Sequence, residues 1–191
     1  MDKRMVKTKK AIQNALVELA QEKELNQITV TDIAKRAEIN RKTFYAHYSC
    51  AEDVLTEIED EFVRLFEKDI KDLNLLNVEH SFILFDRVSK RFDNNMPFYK
   101  MLFTGKLGYS FYGKLTDMFI EKSNAMFEKS PLTKEQVSMI SGFCIAGSGY
   151  IYRNWFVNHQ DIPIEEIAKD AGILMMQGVN GYKRIKEGKG E

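Results

Sequence analysis

Between residues 5 and 22 the apolar positions Ile12, Ala15, Leu16 and Leu19 recur at intervals of three and four, the spacing of an amphipathic helix. A polar stretch, Lys23–Gln27, follows. Thr29 with Asp32 three residues on carries the capping-box pattern and opens a second helix from Val30 to about Ala37, with Ile33, Ala34 and Ala37 facing inward. Glu38-Ile39-Asn40 reads as a short turn, and Asn40 as the N-cap of a third helix, Arg41 to about Tyr48. Ser49-Cys50-Ala51-Glu52 repeats the box pattern and opens a longer helix with apolar positions Val54, Leu55, Ile58, Phe62, Leu65 and Phe66. Beyond it, residues 78–95, 98–104, 109–128, 134–158 and 164–180 predict helices. Thr133 and Gln136 cap one of them, and Pro163 stands near the first turn of the last. The three prolines, Pro97, Pro131 and Pro163, leave long stretches free to be helical. No segment alternates convincingly with the period of two of a strand. The expected fold is therefore all-α: an N-terminal three-helix head, residues 1–50, and a C-terminal helical bundle domain, residues 51–191.

Composition supports a packed chain of this kind. With 191 residues, 44% of them hydrophobic, the chain can bury a core without disulfides or structural metal. Cys50 and Cys144 form no framework, and His47, His80 and His159 lack metal-ligand spacing. The start, MDKRMVKTKK, has no apolar leader core, and no run of about 18 apolar residues occurs, so a cytoplasmic location is expected. Net charge is zero, yet residues 1–50 hold ten Lys/Arg against six Asp/Glu, while the remainder holds 18 against 22. A basic head on an acidic body fits nucleic-acid binding at one end. Lys3, Arg4, Lys7 and Lys10 crowd the start of the first helix, where positive charge opposes the macrodipole.

Two short helices joined by a tight turn form a helix-turn-helix pattern, whose second helix enters the major groove by its N-terminal end. Arg41 and Lys42 stand there, and both can reach guanine O6 and N7. Thr43, Tyr45 and His47, with Thr29 and Thr31 on the preceding helix, supply donors suited to phosphate oxygens. Ile33, Ala37, Ile39, Phe44 and Tyr48 are the expected small core that sets the angle of the two helices.

The run Ile28-Thr-Val-Thr-Asp-Ile-Ala34, then Ala37-Glu-Ile-Asn-Arg-Lys-Thr-Phe-Tyr-Ala-His-Tyr48, then Glu52-Asp-Val-Leu55 resembles the TetR/AcrR signature over about residues 8–56. The resemblance implies an all-helical homodimer whose heads bind operator half-sites and whose last two long helices, here 134–158 and 164–180, pair into a four-helix bundle. It also implies a small-molecule effector and no enzymatic activity, with helix four linking the ligand pocket to the heads. Gly147-Ser-Gly-Tyr-Ile-Tyr-Arg-Asn-Trp155 is similar to a Gram-positive branch that includes the dihydroxyacetone-kinase operon activator. Two positions depart from the pattern. Glu38 stands where the family turn usually has Gly, which costs about 1 kcal/mol in a left-handed turn or reshapes it. Ala51 stands where a phosphate-contacting Lys is usual.

The 134–158 helix is apolar on two faces, Val137, Ile140, Cys144, Gly147 and Ile151 on one and Met139, Phe143, Ala146, Tyr150 and Val157 on the other. Two apolar faces need two partners, and a dimer mate supplies the second. Sixteen of the 22 aromatic residues fall between His80 and Phe156. Phe85, Phe103, Tyr112, Met118 and Phe119 are the candidate ligand-pocket residues. Gly108 to Leu115 mimics GxxxxGK, but Leu115 replaces the metal-binding hydroxyl and no strand precedes it, so it is read as coincidence. No catalytic, cofactor or metal constellation is expected. The function expected is a sequence-specific DNA-binding regulator, a repressor under effector control. The alternative is an interaction protein or co-regulator on the same fold that has lost operator binding.

Overall fold

The computed structural model describes residues 3–73, 78–104, 109–127, 132–158 and 161–188. Gly108, Pro131 and His159 lie outside the described residues. All regular elements described are helical: α1 (Lys3–Leu19), α2 (Val30–Arg36), α3 (Arg41–Tyr45), α4 (Ala51–Ile70), α5 (Val78–Asn94), α6 (Met96–Thr104), α7 (Tyr109–Phe127), α8 (Lys134–Asn158) and α9 (Ile164–Lys186), with a 3-10 turn at Leu25–Gln27. Among the described residues no helix is long and apolar enough to cross a membrane.

The chain divides into two compact units, residues 1–62 with 95–106, and residues 63–94 with 107–191. In the first unit the inner stripe of α1, Ile12, Ala15, Leu16 and Leu19, is buried together with Ile33 and Ala34 of α2, Phe44 of α3, and Val54, Ile58 and Phe62 of α4. Helix α6 belongs here as well. The Phe62 ring meets Tyr99 and Phe103 edge-on, with centroids 5.8 and 6.3 Å apart. The Gln21 side chain donates to the Pro97 carbonyl over 3.1 Å.

The second unit packs α5 on α9 and α7 on α8. Its aromatic centre is Phe92, whose ring lies 5.1 Å from Tyr152 and 5.2 Å from Phe156. The Trp155 indole N–H donates to the Ile162 carbonyl at 2.8 Å, tying the end of α8 to the turn before α9. Two forked ion pairs fasten the end of α4 to α5: Arg91 grips Asp69 at 2.6 and 2.8 Å, and Arg87 grips Asp72 at 2.8 and 3.0 Å. Gly172 allows the close approach of α5 to α9, since a Cβ there would stand 3.2 Å from the Phe82 ring.

Helix ends follow local chemistry. The α2 box is complete: Asp32 N–H donates to Thr29 Oγ1 at 3.2 Å, and Thr29 N–H donates to Asp32 Oδ2 at 2.9 Å. The α8 box matches it, with Gln136 N–H to Thr133 Oγ1 at 3.3 Å and Thr133 N–H to Gln136 Oε1 at 2.9 Å. At α4 the expected Ser49–Glu52 box is replaced. The helix begins at Ala51, so Asp53 stands in its first turn and accepts from Ser49 N–H at 2.8 Å. Helix α9 runs six residues past the expected 180, because Tyr182 and Ile185 extend its pattern and Lys183, Arg184 and Lys186 suit the negative end of the dipole.

Ala37 and Ile39 are only half-buried, so the angle between α2 and α3 rests on Ile33, Ala34, Phe44 and Tyr48. Glu38 occupies the left-handed region at φ 55°, so the turn keeps the shape that usually takes glycine and is strained rather than remade. Glu38→Gly is expected to raise the stability of the first unit by about 1 kcal/mol. Chemical denaturation of the two proteins checks this, and an unchanged or lowered midpoint contradicts strain at the turn.

Candidate nucleic-acid interface

Helix α3 has five residues, too few to be stable by itself. Its start is fixed by Asn40, whose Oδ1 accepts from the Thr43 N–H at 2.7 Å and the Thr43 hydroxyl at 3.0 Å. Its orientation is fixed by Phe44, fully buried, with its ring 5.7 Å from Tyr45 and 5.9 Å from Tyr48. Burying Phe44 leaves Arg41, Lys42 and Tyr45 on the solvent side. Arg41 folds along the helix toward Tyr45. Its Nη2 lies 3.4 Å from Tyr45 Oη, and its guanidinium carbon lies 5.9 Å from the ring centroid. This stacking narrows the rotamers of a long side chain before any partner arrives.

The remaining candidates differ in what they can offer. Thr31 is exposed. The Thr29 hydroxyl donates to Asp32 Oδ2 at 2.7 Å, and that of Thr43 to Asn40, so both protons serve helix caps. His47 is half-buried, and its enclosed Nδ1 has no hydrogen-bond partner among the described residues. Tyr48 is turned inward, where burial and the nearby Glu57 carboxylate push its hydroxyl pKa up.

The basic residues of this unit fall into two sets. One set is tied down: Lys9 to Glu57 at 2.9 Å, Lys23 to Asp32 at 2.7 Å, and Arg36 to Glu22 at 2.8 Å and Glu18 at 3.4 Å. The Lys23 ammonium, and then Thr29, hold the Asp32 carboxyl well below the ordinary carboxylate range. The other set, Lys3, Lys7, Lys10, Lys35, Arg41 and Lys42, makes no ion pair with any described carboxylate and is exposed. The pairing of Lys9 was hidden in the sequence, since nothing distinguishes it from Lys7 or Lys10 beside it.

The five candidate pocket residues fall in both units. Phe103 belongs to the first unit and is buried against Phe62. Phe85, Tyr112, Met118 and Phe119 belong to the second. There Phe85 lines a groove of about 260 Å³ with Phe82, Asp86, Glu165, Ala168 and Lys169. Sequence reading missed the other five: Glu165, Ala168 and Lys169 come from α9, which the chain separates widely from α5, and Phe82 and Asp86 stand beside Phe85 on α5 itself. Tyr112 instead packs against Gly149, where its ring leaves no room for a Cβ. Among the described residues no three His, Cys, Asp or Glu side chains stand close enough to hold a metal ion.

Residues 79–177 match a family model described as the transcriptional regulator C-terminal region, TetR_C_8. A relative in Bacillus subtilis (strain 168), the uncharacterized HTH-type transcriptional regulator YxbF, is 39% identical over 56 residues. That match covers 29% of this chain and spans 15% of the relative's own length. A solved structure from Syntrophomonas wolfei, assigned to the TetR-family transcriptional regulators, superposes with a TM-score of 0.76 at 17% identity over 91% of this chain and 95% of that one. The Thermus thermophilus FadR, a TetR-family repressor solved with lauroyl-CoA, superposes with a TM-score of 0.64 at 18% identity, covering 89% and 94%.

The low pKa of Asp32 has a thermodynamic consequence for this surface. A carboxylate held below its unfolded value of about 3.8 stabilises the fold above that pH and loses its contribution as pH falls through the lowered value. Asp32→Asn is therefore expected to destabilise the protein more at about pH 6 than at about pH 2.5, where part of the carboxylate's contribution has already been lost. Equal destabilisation at both values would show that the charge is not the stabilising element.

Proposed function

Because the chain belongs to the TetR family of transcriptional regulators, we propose that it is a homodimeric, sequence-specific DNA-binding repressor controlled by a small-molecule effector. In this reading residues 1–50 form the operator-binding head, and residues 51–191 dimerise and take the effector. The observation that carries it is the Asn40-capped α3, with Arg41 and Lys42 exposed at its start. That is the end of a recognition helix that reaches base edges. Arg41, pre-stacked on Tyr45, is the base-reading residue, and Lys42 its neighbour in the same groove. Tyr45, Thr31 and His47 face backbone phosphates. Thr29 and Thr43 act chiefly through the caps they complete.

Dimerisation is supported by the apolar face that one copy leaves uncovered. Met139, Phe143, Tyr150 and Val157 on α8 are more than half exposed, as are Leu174 and Ile185 on α9. The Phe143 ring lies 3.9 Å from the place of a Cβ on Gly178, so the two stripes are continuous. A second copy covering this face makes a four-helix interface with two-fold symmetry. Two heads then read a palindrome, with half-sites about 34–36 Å apart. The effector is an apolar molecule. The aromatic floor of the Phe82–Phe85 groove suits one, and the fold neighbour FadR holds lauroyl-CoA.

Selection of sites from random duplex DNA by the purified chain tests the reading, and an enriched palindrome is the expected result. No enrichment from a folded dimer would favour a co-regulator without an operator. Within the enriched site, Arg41→Ala is expected to cost about 1–3 kcal/mol and to relax preference at one base pair. A loss spread evenly over all sequences would assign Arg41 to phosphate instead. Tyr150→Glu with Leu174→Glu is expected to give a folded monomer by light scattering, and a persistent dimer would place the interface elsewhere.

A further inference from the structure

In α1 the core-facing stripe begins only at Ile12. Every residue from Lys3 to Lys7 is exposed, and Lys10 is as well, so the first two turns of this helix bury almost nothing. Their first turn holds no acidic residue. Lys9 fixes which way the helix faces. Its ammonium sits 2.9 Å from Glu57 and 5.2 Å above the Tyr48 ring, which pins this turn beside the end of α3. At about 100° per residue, Lys3, Lys7 and Lys10 lie roughly 100–160° around the helix from Lys9, on one shared outward face. Their spacing, four residues and then three, stacks them in a single row.

Such a row is unfavourable in isolation. Like charges at this spacing repel, and cations at a helix N-terminus oppose the dipole. A partner of opposite charge reverses both terms. The row is about 10 Å long at 1.5 Å per residue. That matches about three steps between successive phosphates of one strand, spaced roughly 3.4 Å along the duplex axis.

Building on the operator-binding reading above, we propose that Lys3, Lys7 and Lys10 of α1 form a second DNA contact. They dock on the phosphate backbone beside the half-site that α3 reads. The contact is independent of sequence. It adds affinity and fixes the approach of the head, while base choice stays with α3.

The test compares the full-length chain with K3Q/K7Q/K10Q. Affinity is measured for a duplex of about 30 base pairs carrying the selected site, and for a scrambled duplex of equal length, between about 50 and 200 mM salt. The wild-type plot of log affinity against log salt should be steeper than that of the variant by up to about 2.7. Over that salt range the wild type should then lose up to about 40-fold more affinity. The slope difference should be the same on both duplexes, the preferred sequence unchanged, and K3R/K7R/K10R should restore the wild-type slope. If circular dichroism shows the triple variant unfolded, Lys7→Gln alone should lower the slope by about 0.9. Coincident slopes for wild type and folded variant, with a sequence still selected, overturn the second contact and leave operator binding standing. An altered preferred sequence also overturns it, by making the row a base reader. A wild-type chain without salt-dependent DNA binding overturns both readings.

Discussion

A helix of five residues does not hold itself in water, and the arrangement of the first unit follows from that constraint. The direction in which Arg41 and Lys42 point is set by what lies beneath them. Phe44 is fully buried, as are Ile12 and Leu16 of α1, Ile33 of α2 and Ile58 of α4. Asn40 closes the open N-terminal turn. The strained Glu38 turn belongs to the same constraint, because the chain must reverse within four residues for α3 to lie against α2. About 1 kcal/mol of backbone strain is tolerable where a buried aromatic ring contributes more, about 1.5–3 kcal/mol.

Charge is sorted by the same packing. Lys9, Lys23 and Arg36 become structural once folding brings Glu57, Asp32 and Glu22 to them, and these pairs brace α1, α2 and α4 around α3. The nearby Lys7, Lys10 and Lys35 remain exposed and make no ion pair with a described carboxylate. The basic excess of residues 1–50 thus resolves into a bracing set and an outward set. The second unit uses the same device at Asp69 and Asp72, where two arginine forks hold the end of α4 against α5.

Helix α8 is governed by a different rule. A 25-residue helix with apolar side chains almost all round presents two apolar faces, and in this chain Met139, Phe143, Tyr150 and Val157 on one of them stay exposed. One face is filled by Val137, Ile140, Tyr152 and Trp155 packing inward. The other continues onto α9 through Phe143 and Gly178. The glycines and small residues of the two helices keep that surface low and open to close approach.

Local pattern alone determined the helical class, the cap pairs Thr29–Asp32, Asn40–Thr43 and Thr133–Gln136, the two apolar faces of α8, and the residues at the start of α3. Each depends on neighbours three or four positions away, which is the range over which helix periodicity and capping act. Tertiary structure decided the rest. It placed α6, and Phe103 with it, in the first unit. It also joined Phe82 and Phe85 to Glu165, Ala168 and Lys169 in one groove, and selected Lys9 from a run of lysines to face Glu57. These outcomes depend on residues far apart in the chain, as the 48 positions between Lys9 and Glu57 show, brought together by side-chain packing that periodicity in one dimension does not encode.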